Sequence, residues 1–210
     1  MALARLRKEY RGLALRESLS PSEPLALFAR WMKAALAADL REPTAMALAS
    51  VDAKSRPSNR MVLLKGVDRG FVFYTNTGSR KGSELAEAPS ASLLLWWDAL
   101  HRQVRIEGRV SPVANDEADE YFRSRPRGAQ ISAWASPQSR RIASREVLEA
   151  RVERLTARFL GRPVPRPHNW GGFRLIPARI EFWQGRRDRL HDRLLYTRTR
   201  SGWTRNRLAP

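Results

Sequence analysis

The sequence predicts an α+β protein, mainly β, in which an antiparallel sheet closes into a small barrel with flanking helices. Short apolar runs rich in Val, Leu, Phe and Tyr follow one another between residues 44 and 110, and each has the length of a strand. Only one short helical stretch, about 81–87, interrupts them, so alternating strand–helix units are not indicated. Strand-like runs return after residue 172. Closely spaced strands of this kind are typical of small barrels.

The first elements are an arm, a helix and a group of strands. Residues 1–21 are basic and polar, which predicts an arm that is flexible unless a ligand or partner orders it. Ser22-Glu23-Pro24 starts a helix that runs to about Leu40. Its predicted core-facing residues are Leu25, Phe28, Met32 and Leu36. The predicted strands are 44–51, 61–64, 70–75, 92–97 and 103–110, with turns at 52–59 and 66–69.

The second half opens with helices. Asn115 caps a helix to about Arg123, and Ser144 caps another that ends at Gly161 before a proline run. Its predicted apolar face is Leu148, Val152, Leu155 and Phe159. The last predicted strands are 173–175, 179–184, 193–199 and 203–208. We therefore expect one domain, 22–210, with a helical insert at about 115–161 and C-terminal strands in 173–210.

The composition excludes several kinds of chemistry. The chain has no cysteine and three histidines, so thiol nucleophiles are excluded and a metal centre is not expected. No stretch approaches the roughly 20 apolar residues of a membrane span. The first ten residues mix charges and lack an apolar signal core, so a cytoplasmic protein is expected. Any redox chemistry must come from an organic cofactor.

The formal net charge of +18 permits three interpretations. A basic protein can bind nucleic acid or anionic membranes. The arginines are spread from Arg5 to Arg207 and only five of the 39 basic residues are lysine, which indicates a general compositional bias. Phosphorylated ligands would also recruit arginine forks and lysine charges. Charge alone does not decide among the three.

Cationic and aromatic clusters are the candidates for a site, because GxGxxG, GxxxxGK[ST], HExxH and GxSxG motifs are absent. Arg60 and Lys65 end one apolar strand, although strict alternation puts them on opposite faces. Residues 73–81 join a strand, a turn and a helix start with Arg80 and Lys81, a pattern suited to phosphate or to a solvated turn.

The strongest cluster is Arg189, His191 and Arg193. In an extended segment these three side chains would share one face, just downstream of Trp183. A lone histidine is more often structural, but three such groups on one face need a ligand or water to satisfy them. This segment is the best candidate for an active site.

A set of segments along the chain resembles the pyridoxamine 5'-phosphate oxidase family, in that family's order. They are RMVLLK (60–65), FYTNTGSRK (73–81), RQVRIEG (102–108), EYFRSRPR (120–127), SAWASPQS (132–139), NWGGFRL (169–175), IEFWQG (180–185), RLHDR (189–193) and RLAP (207–210). The resemblance begins near Arg7 and covers nearly the whole chain. It implies a Greek-key split β-barrel that forms a homodimer with FMN where the subunits meet, and that oxidises pyridoxamine and pyridoxine 5'-phosphates with O2.

The resemblance also implies site residues, carried over by position. Those implied to bind FMN are Arg60, Met61, Lys65, Tyr74, Thr75, Arg80, Lys81, Gln103, Gln138, Ser139, Trp183 and Arg193. Those implied to meet the substrate are Arg7, Tyr10, Lys65, Tyr121, Arg125, Ala129, Arg189 and His191. Arg189 and His191 are implied to position the substrate and assist proton removal. Ala129 departs from the pattern, because the family usually has a phosphate-binding serine there.

Two other classes of protein are the alternatives. A non-catalytic split-barrel protein would bind FMN without turnover, but it would not need the RLHDR segment or Lys65. A nucleic-acid-binding protein would explain the charge, but no reader motif supports it. We therefore expect an enzyme with neither a nucleic-acid nor a membrane partner.

Overall fold

The computed structural model describes residues 9–10 and 12–210. Within them lie five α-helices and nine strands, whose order fits the predicted mainly-β class. The helices are α1 (Pro24–Ala37), α2 (Arg80–Glu87), α3 (Asn115–Ser124), α4 (Arg127–Ala135) and α5 (Arg145–Arg158). The strands are β1 (Ala45–Val51), β2 (Pro57–Leu63), β3 (Gly66–Val67), β4 (Phe71–Asn76), β5 (Ser90–Trp97), β6 (Arg102–Pro112), β7 (Trp170–Gln184), β8 (Asp192–Thr199) and β9 (Gly202–Leu208).

The strands form one curled antiparallel sheet in the order β2-β1-β5-β6-β7-β4-β3, and β8 and β9 extend it from β7. Strand β7 pairs with β4 through its first residues and with β8 through its last. It pairs with β6 along most of its length. The sheet is the split barrel that the sequence predicts.

The barrel closes at residues 64 and 65. The backbone N–H of Leu64 donates to Thr44 O, 2.9 Å away, before β1, and the N–H of Lys65 donates to Val72 O on β4, 2.8 Å away. One short segment therefore joins the two ends of the sheet. The alternation argument for Arg60 and Lys65 does not apply, because β2 ends at Leu63.

Helix α1 covers one opening of the barrel. Leu27, Phe28, Trp31 and Ala35 are its buried apolar residues, and the Phe28 and Phe71 rings meet edge to face at 4.9 Å. The predicted face was wrong by part of a turn: Phe28 is in the core, but Leu36 is largely exposed. Because α1 also contains several alanines, its apolar residues fit an i, i+3, i+4 pattern on either of two neighbouring faces, and the sequence does not show which of them faces the core.

Three further boundaries differ from the prediction. The runs predicted as 173–175 and 179–184 are one 15-residue strand, β7. A bulge at Glu107/Gly108 absorbs the irregularity at Pro177, which is where a proline in a strand is tolerated. Residues 57–59, predicted as a turn, begin β2. Helix α4, inside the predicted helical insert, was not predicted as a separate element.

The helical insert packs around a second, smaller core. Phe122, Ile131, Phe159, Val164 and Trp170 form it, with Val152 and Leu155 against it. In the part of the chain that the structure describes, no helix has the length and apolarity needed to cross a membrane.

Two glycines in helices give a matched test of how closely α2 approaches the turn before it. A Cβ at Gly82 of α2 would lie 2.1 Å from Thr77 O, whereas one at Gly128 of α4 would meet nothing within 4 Å. We expect Gly82→Ala to destabilise the fold by about 1–3 kcal/mol. Gly128→Ala should be neutral or stabilise it by up to about 1 kcal/mol. Urea unfolding of both variants measures the difference, and equal stabilities would contradict the close approach at Gly82.

Candidate active site

A large cavity lies between the barrel and helices α3 and α4. Its volume is about 820 Å³, within the range of pockets for small organic ligands. Its walls are Met61, Val62, Leu63, Lys65, Tyr74, Thr75, Asn76, Lys81, Tyr121, Ser124, Arg125, Pro126, Ala129, Ser132, Ala133, Ser136, Gln138 and Trp170. Nine of the implied site residues are among them.

Lys81 forms a polar corner of this cavity. Its Nζ donates to Gln138 Oε1 at 2.6 Å, to Thr75 Oγ1 at 2.9 Å and to Ser79 Oγ at 3.2 Å. Ser79 is the N-cap of α2, so the lysine lies by a helix N-terminus, which favours anions. Burial, followed by the charge of Arg60, lowers the pKa of Lys81 to about 8. An anionic ligand would raise this pKa again and favour the ammonium form.

Arg60 and Arg80 are turned toward a buried carboxylate, Glu84, and neither lines the cavity. Glu84 Oε2 accepts from Ser50, Ser58 and Arg60 at 2.6, 2.6 and 3.1 Å, and Oε1 accepts from Arg80 at 2.8 Å. Burial alone would raise the pKa of Glu84, but these hydrogen bonds outweigh it and lower the pKa to about 2. Glu84 therefore stays ionised and fixes both guanidinium groups.

An aromatic stack forms the opposite wall. The rings of Tyr74 and Tyr121 are parallel with centroids 3.9 Å apart, and Trp170 stacks on Tyr74 at 5.6 Å. The Arg125 guanidinium lies 4.8 Å from the Trp170 ring. Among the described residues, nothing hydrogen-bonds its buried Nη1 atom, and burial lowers the pKa of Arg125. A buried guanidinium N–H without a partner is what an acceptor on a ligand would satisfy.

A second cluster lies on the outward face of the sheet. Trp96, Gln103, Trp183 and Arg193 occupy one row across β5, β6, β7 and β8. Tyr10 packs against this row, with its ring 5.6 Å from those of both Trp183 and His191. Arg193 donates from Nε to Glu181 Oε1 at 2.8 Å.

His191 is held in one neutral form. The backbone N–H of Arg186 donates to its Nδ1 at 3.1 Å, so the proton of the neutral ring is on Nε2. Burial, and then the charge of Arg189, lower the pKa of His191. The neutral ring therefore presents an N–H donor at Nε2.

Arg189 does not lie in an extended segment, so the argument that placed it on one face with His191 and Arg193 was wrong. Residues Arg187–Arg189 form a 3-10 turn, and Asp188 and Arg189 have φ values of 54° and 62°. Strand β8 begins only at Asp192. The Arg189 side chain is exposed at this turn.

The two clusters lie near opposite ends of one strand. Trp170, in the aromatic wall of the cavity, is the first residue of β7, and Trp183 is its last but one. The strand between them has a contour of up to about 43 Å. None of the described residues of the outward cluster lines the cavity, so a single chain carries two separate clusters, here called half-sites.

Comparison with known proteins identifies the family. Residues 32–159 match the model described as "Pyridoxamine 5'-phosphate oxidase", and 170–210 match "Pyridoxine 5'-phosphate oxidase C-terminal dimerisation region". The pyridoxine/pyridoxamine 5'-phosphate oxidase of Rubrobacter xylanophilus is 54% identical over 99% of this chain and 96% of its own. That of Burkholderia cenocepacia is 56% identical over 99% of both chains. The chain belongs to the pyridoxamine 5'-phosphate oxidase family.

Solved structures agree with this assignment. PhzG from Burkholderia lata, in complex with tetrahydrophenazine-1-carboxylic acid, superimposes with a TM-score of 0.91 at 38% identity over 97% of this chain and 100% of its own. A pyridoxamine 5'-phosphate oxidase-related, FMN-binding protein from Nostoc punctiforme shares the fold, with a TM-score of 0.71 at 18% identity over 92% of this chain and 99% of its own. The chain is thus an oxidoreductase of this family.

The implied residues of this pyridoxamine 5'-phosphate oxidase family member fall into several groups. Those in the cavity are Met61, Lys65, Tyr74, Thr75, Lys81, Tyr121, Arg125, Ala129 and Gln138. Those at the outward cluster are Tyr10, Gln103, Trp183, His191 and Arg193, and Arg189 is exposed on the turn before His191. Arg60 and Arg80 bind Glu84, and Ser139 follows the cavity residue Gln138 with φ 71°. Arg7 lies outside the described residues.

The sequence argument missed four residues of these half-sites. They are Glu84, Trp170, Ser132 and Asp192. Ser132 follows Ala129 by one turn of α4 and lines the same cavity. Its Oγ donates back to Gly128 O at 2.8 Å. Since helical side chains lean toward the N-terminus, this hydroxyl lies beside Ala129, and the i, i+3 spacing was the signal that could have found it.

Glu84 gives a test of the arginine anchor. We expect Glu84→Gln to lower stability at pH 7 by about 1.5–3 kcal/mol, because charge-assisted hydrogen bonds are lost. The folded-state pKa of about 2 lies below the ordinary glutamate value of 4.5. The wild-type advantage is therefore complete above pH 4.5 and disappears as pH falls toward 2. Thermal unfolding of both proteins across that pH range measures it, and a constant difference would contradict the ionised anchor.

Proposed function

We propose that the protein is an FMN-dependent oxidase that converts pyridoxamine and pyridoxine 5'-phosphates into pyridoxal 5'-phosphate with O2 as acceptor. We also propose that it acts as a homodimer, with FMN where two subunits meet. The observation that carries this proposal is the separation of the two half-sites at opposite ends of β7. A second copy could bring the outward cluster of one subunit to the cavity of the other.

The outward face of the sheet supports the dimer. Met61 and Trp96 are 63% and 44% exposed, although both are large and apolar. Between them the face is lined by small β1 residues such as Ala47, which pairs with Met61 and with Leu94 of β5. Exposed apolar surface of this kind is typical of subunit contacts. Met61 also lines the cavity, so this face continues into it.

The residues present fit FMN. Its phosphate matches the Lys81 corner, where Ser79 caps a helix, and the apolar ring system matches the Met61 side of the cavity. We propose that FMN is held by Arg60, Met61, Lys65, Tyr74, Thr75, Arg80, Lys81, Gln138 and Ser139 of one subunit. Gln103, Trp183 and Arg193 of the other subunit would complete the contact. Bound FMN would take two electrons from the substrate carbon and pass them to O2, giving hydrogen peroxide.

The substrate phosphate has candidate partners in the same cavity. Lys65, Tyr121 and Arg125 line it together, and the Arg125 Nη1 has no hydrogen-bond partner among the described residues. A phosphate oxygen is the acceptor that such a group binds most strongly. We propose that Ser132 supplies the hydroxyl that Ala129 lacks. Its bond to Gly128 O can be released, because the helix backbone already pairs that carbonyl.

Arg189 and His191 divide the work at the substrate's reacting end. His191 is a hydrogen-bond donor through Nε2, because its Nδ1 is occupied by the Arg186 N–H. A donor in this form orients the amine or hydroxyl of the substrate rather than accepting its proton. Arg189 supplies a fixed positive charge that favours loss of that proton. Tyr10 would close over the ring, and Arg7 is implied to do the same.

The deciding experiment is a reductive titration. We expect the purified protein to be a dimer with one FMN per subunit and to bleach under anaerobic conditions when pyridoxamine 5'-phosphate is added. Admitting O2 should restore the yellow colour with formation of pyridoxal 5'-phosphate and hydrogen peroxide.

Pyridoxamine without its phosphate should have a kcat/KM lower by about a hundredfold or more, because the phosphate contacts are lost. Bound FMN that no phosphorylated substrate bleaches would instead indicate a flavin-binding protein without turnover.

Arg189 and His191 can be tested without disturbing the flavin. We expect Arg189→Ala to lower kcat/KM by about a hundredfold, or about 2.7 kcal/mol of transition-state stabilisation. His191→Asn should have a smaller effect, because the amide keeps an N–H donor. FMN affinity and dimerisation should stay at wild-type values in both. The result that contradicts these roles is lost flavin and lower thermal stability with normal kinetics in the folded fraction.

A further inference from the structure

The carboxylate of Asp192, next to His191, is a junction between β8, β9 and the N-terminal arm. Its Oδ1 accepts from Arg207 Nη1 at 2.6 Å, and its Oδ2 accepts from the Leu15 backbone N–H at 3.0 Å. Arg186 Nε lies 3.6 Å from Oδ2. The contacts with Leu15 and Arg207 cross 177 and 15 residues of sequence. Asp192 therefore joins parts of the chain that local structure alone would not bring together.

Arg207 completes the junction from β9. Its Nε and Nη2 donate to the two oxygens of Glu17 at 2.5 and 2.7 Å, a bidentate pair. Nη2 also donates to Leu15 O at 2.9 Å. The guanidinium thus holds both a side chain and the backbone of the arm while it binds Asp192. Fork-to-fork pairs of this kind fix geometry more tightly than single surface ion pairs.

The same arm segment also contacts Gly185 and Arg186, which follow β7 and precede His191. Gly12 N donates to Gly185 O at 3.1 Å, and Arg186 Nη1 donates to Gly12 O at 2.7 Å. A Cβ at Gly12 would lie 2.6 Å from Gly185 O, so only glycine permits this approach. Arg186 also donates its backbone N–H to His191 Nδ1. Two residues before Gly12, Tyr10 packs on His191.

We propose that Asp192 and Arg207 form a latch that docks residues 12–19 onto β8 and thereby sets the positions of Tyr10 and His191. Both are positioning residues. Arg207 acts through the arm and holds Asp192, whereas Asp192 acts through the arm and through Arg186. The kinetic consequence rests on the proposed oxidase function, but the docking itself does not.

The test measures arm docking and kinetics in the same FMN-loaded protein. In Arg207→Gln we expect hydrogen exchange of the peptide covering residues 12–20 to rise about tenfold or more, since charge-assisted bonds are lost. KM for pyridoxamine 5'-phosphate should rise about tenfold with kcat within about twofold, because Tyr10 is released. Asp192→Asn should raise exchange in the same peptide and should also lower kcat, because Arg186 and His191 shift. Arg207→Lys should restore part of the effect.

Two further variants serve as a charge-neutral test of the arm contact and as a negative control. Gly12→Ala removes the backbone contact without changing any charge, and it should reproduce the exchange and KM of Arg207→Gln. Glu149→Gln breaks the exposed Arg145–Glu149 pair, 2.7 Å, on α5, and it should match the wild type in all measurements.

Three outcomes would overturn the latch. The first is exchange and KM within about twofold of wild type in both Asp192→Asn and Arg207→Gln. The second is faster exchange throughout the chain with a lower Tm, which would indicate a general structural role. The third is a normal arm with altered kinetics. If the wild type has no oxidase activity, the proposed function fails, and the exchange of residues 12–20 still decides whether the arm is latched.

Discussion

Strand β7 pairs with β6 along most of its 15 residues, and this ladder decides where both half-sites lie. Its first residues pair with β4 and place Trp170 beside Tyr74 in the cavity wall. Its last residues pair with β8 and place Trp183 beside Arg193. Between them, the bulge at Gly108 lets the two strands bend together instead of breaking. The cavity wall and the outward cluster therefore take their positions from the two ends of one strand.

Six arginines take part in a repeated device, in which a shielded carboxylate fixes two guanidinium groups. Glu84 holds Arg60 and Arg80, and Asp192 holds Arg186 and Arg207. Glu181, whose side chain is 3% exposed, likewise holds Arg105 and Arg193. Each carboxylate needs both partners to offset its lost hydration, so removal of one arginine leaves a poorly compensated charge. The arginines of these pairs are directed at the protein's own carboxylates.

The strand class, the order of the elements and the main motifs could be predicted from the sequence because alternation and turn residues are local signals. The cavity residues from Met61 to Gln138 could be named because the resemblance carries them by position. What could not be predicted depends on three-dimensional context. The continuity of β7 through Pro177 depends on a bulge in β7 itself, where the pairing with β6 skips Ala178. The orientation of α1 depends on the barrel that it covers. The turn at Arg189 depends on left-handed backbone conformations at Asp188 and Arg189, and the periodicity of the sequence does not reveal such conformations.

That turn explains why the start of β8 needs support from several elements. Asp188 and Arg189 are successive non-glycine residues with φ of 54° and 62°, and each left-handed residue costs roughly 1–2 kcal/mol. Such strain persists only where neighbouring contacts determine the conformation. Within the turn, Leu190 N donates to Arg187 O at 3.1 Å and His191 N donates to Arg189 O at 2.9 Å. On either side, Arg186 and Asp192 are bound to the arm. The arm therefore stabilises a segment whose own backbone opposes its conformation, and the side chains on that segment, Arg189 and His191, are the ones whose positions matter most for the proposed reaction.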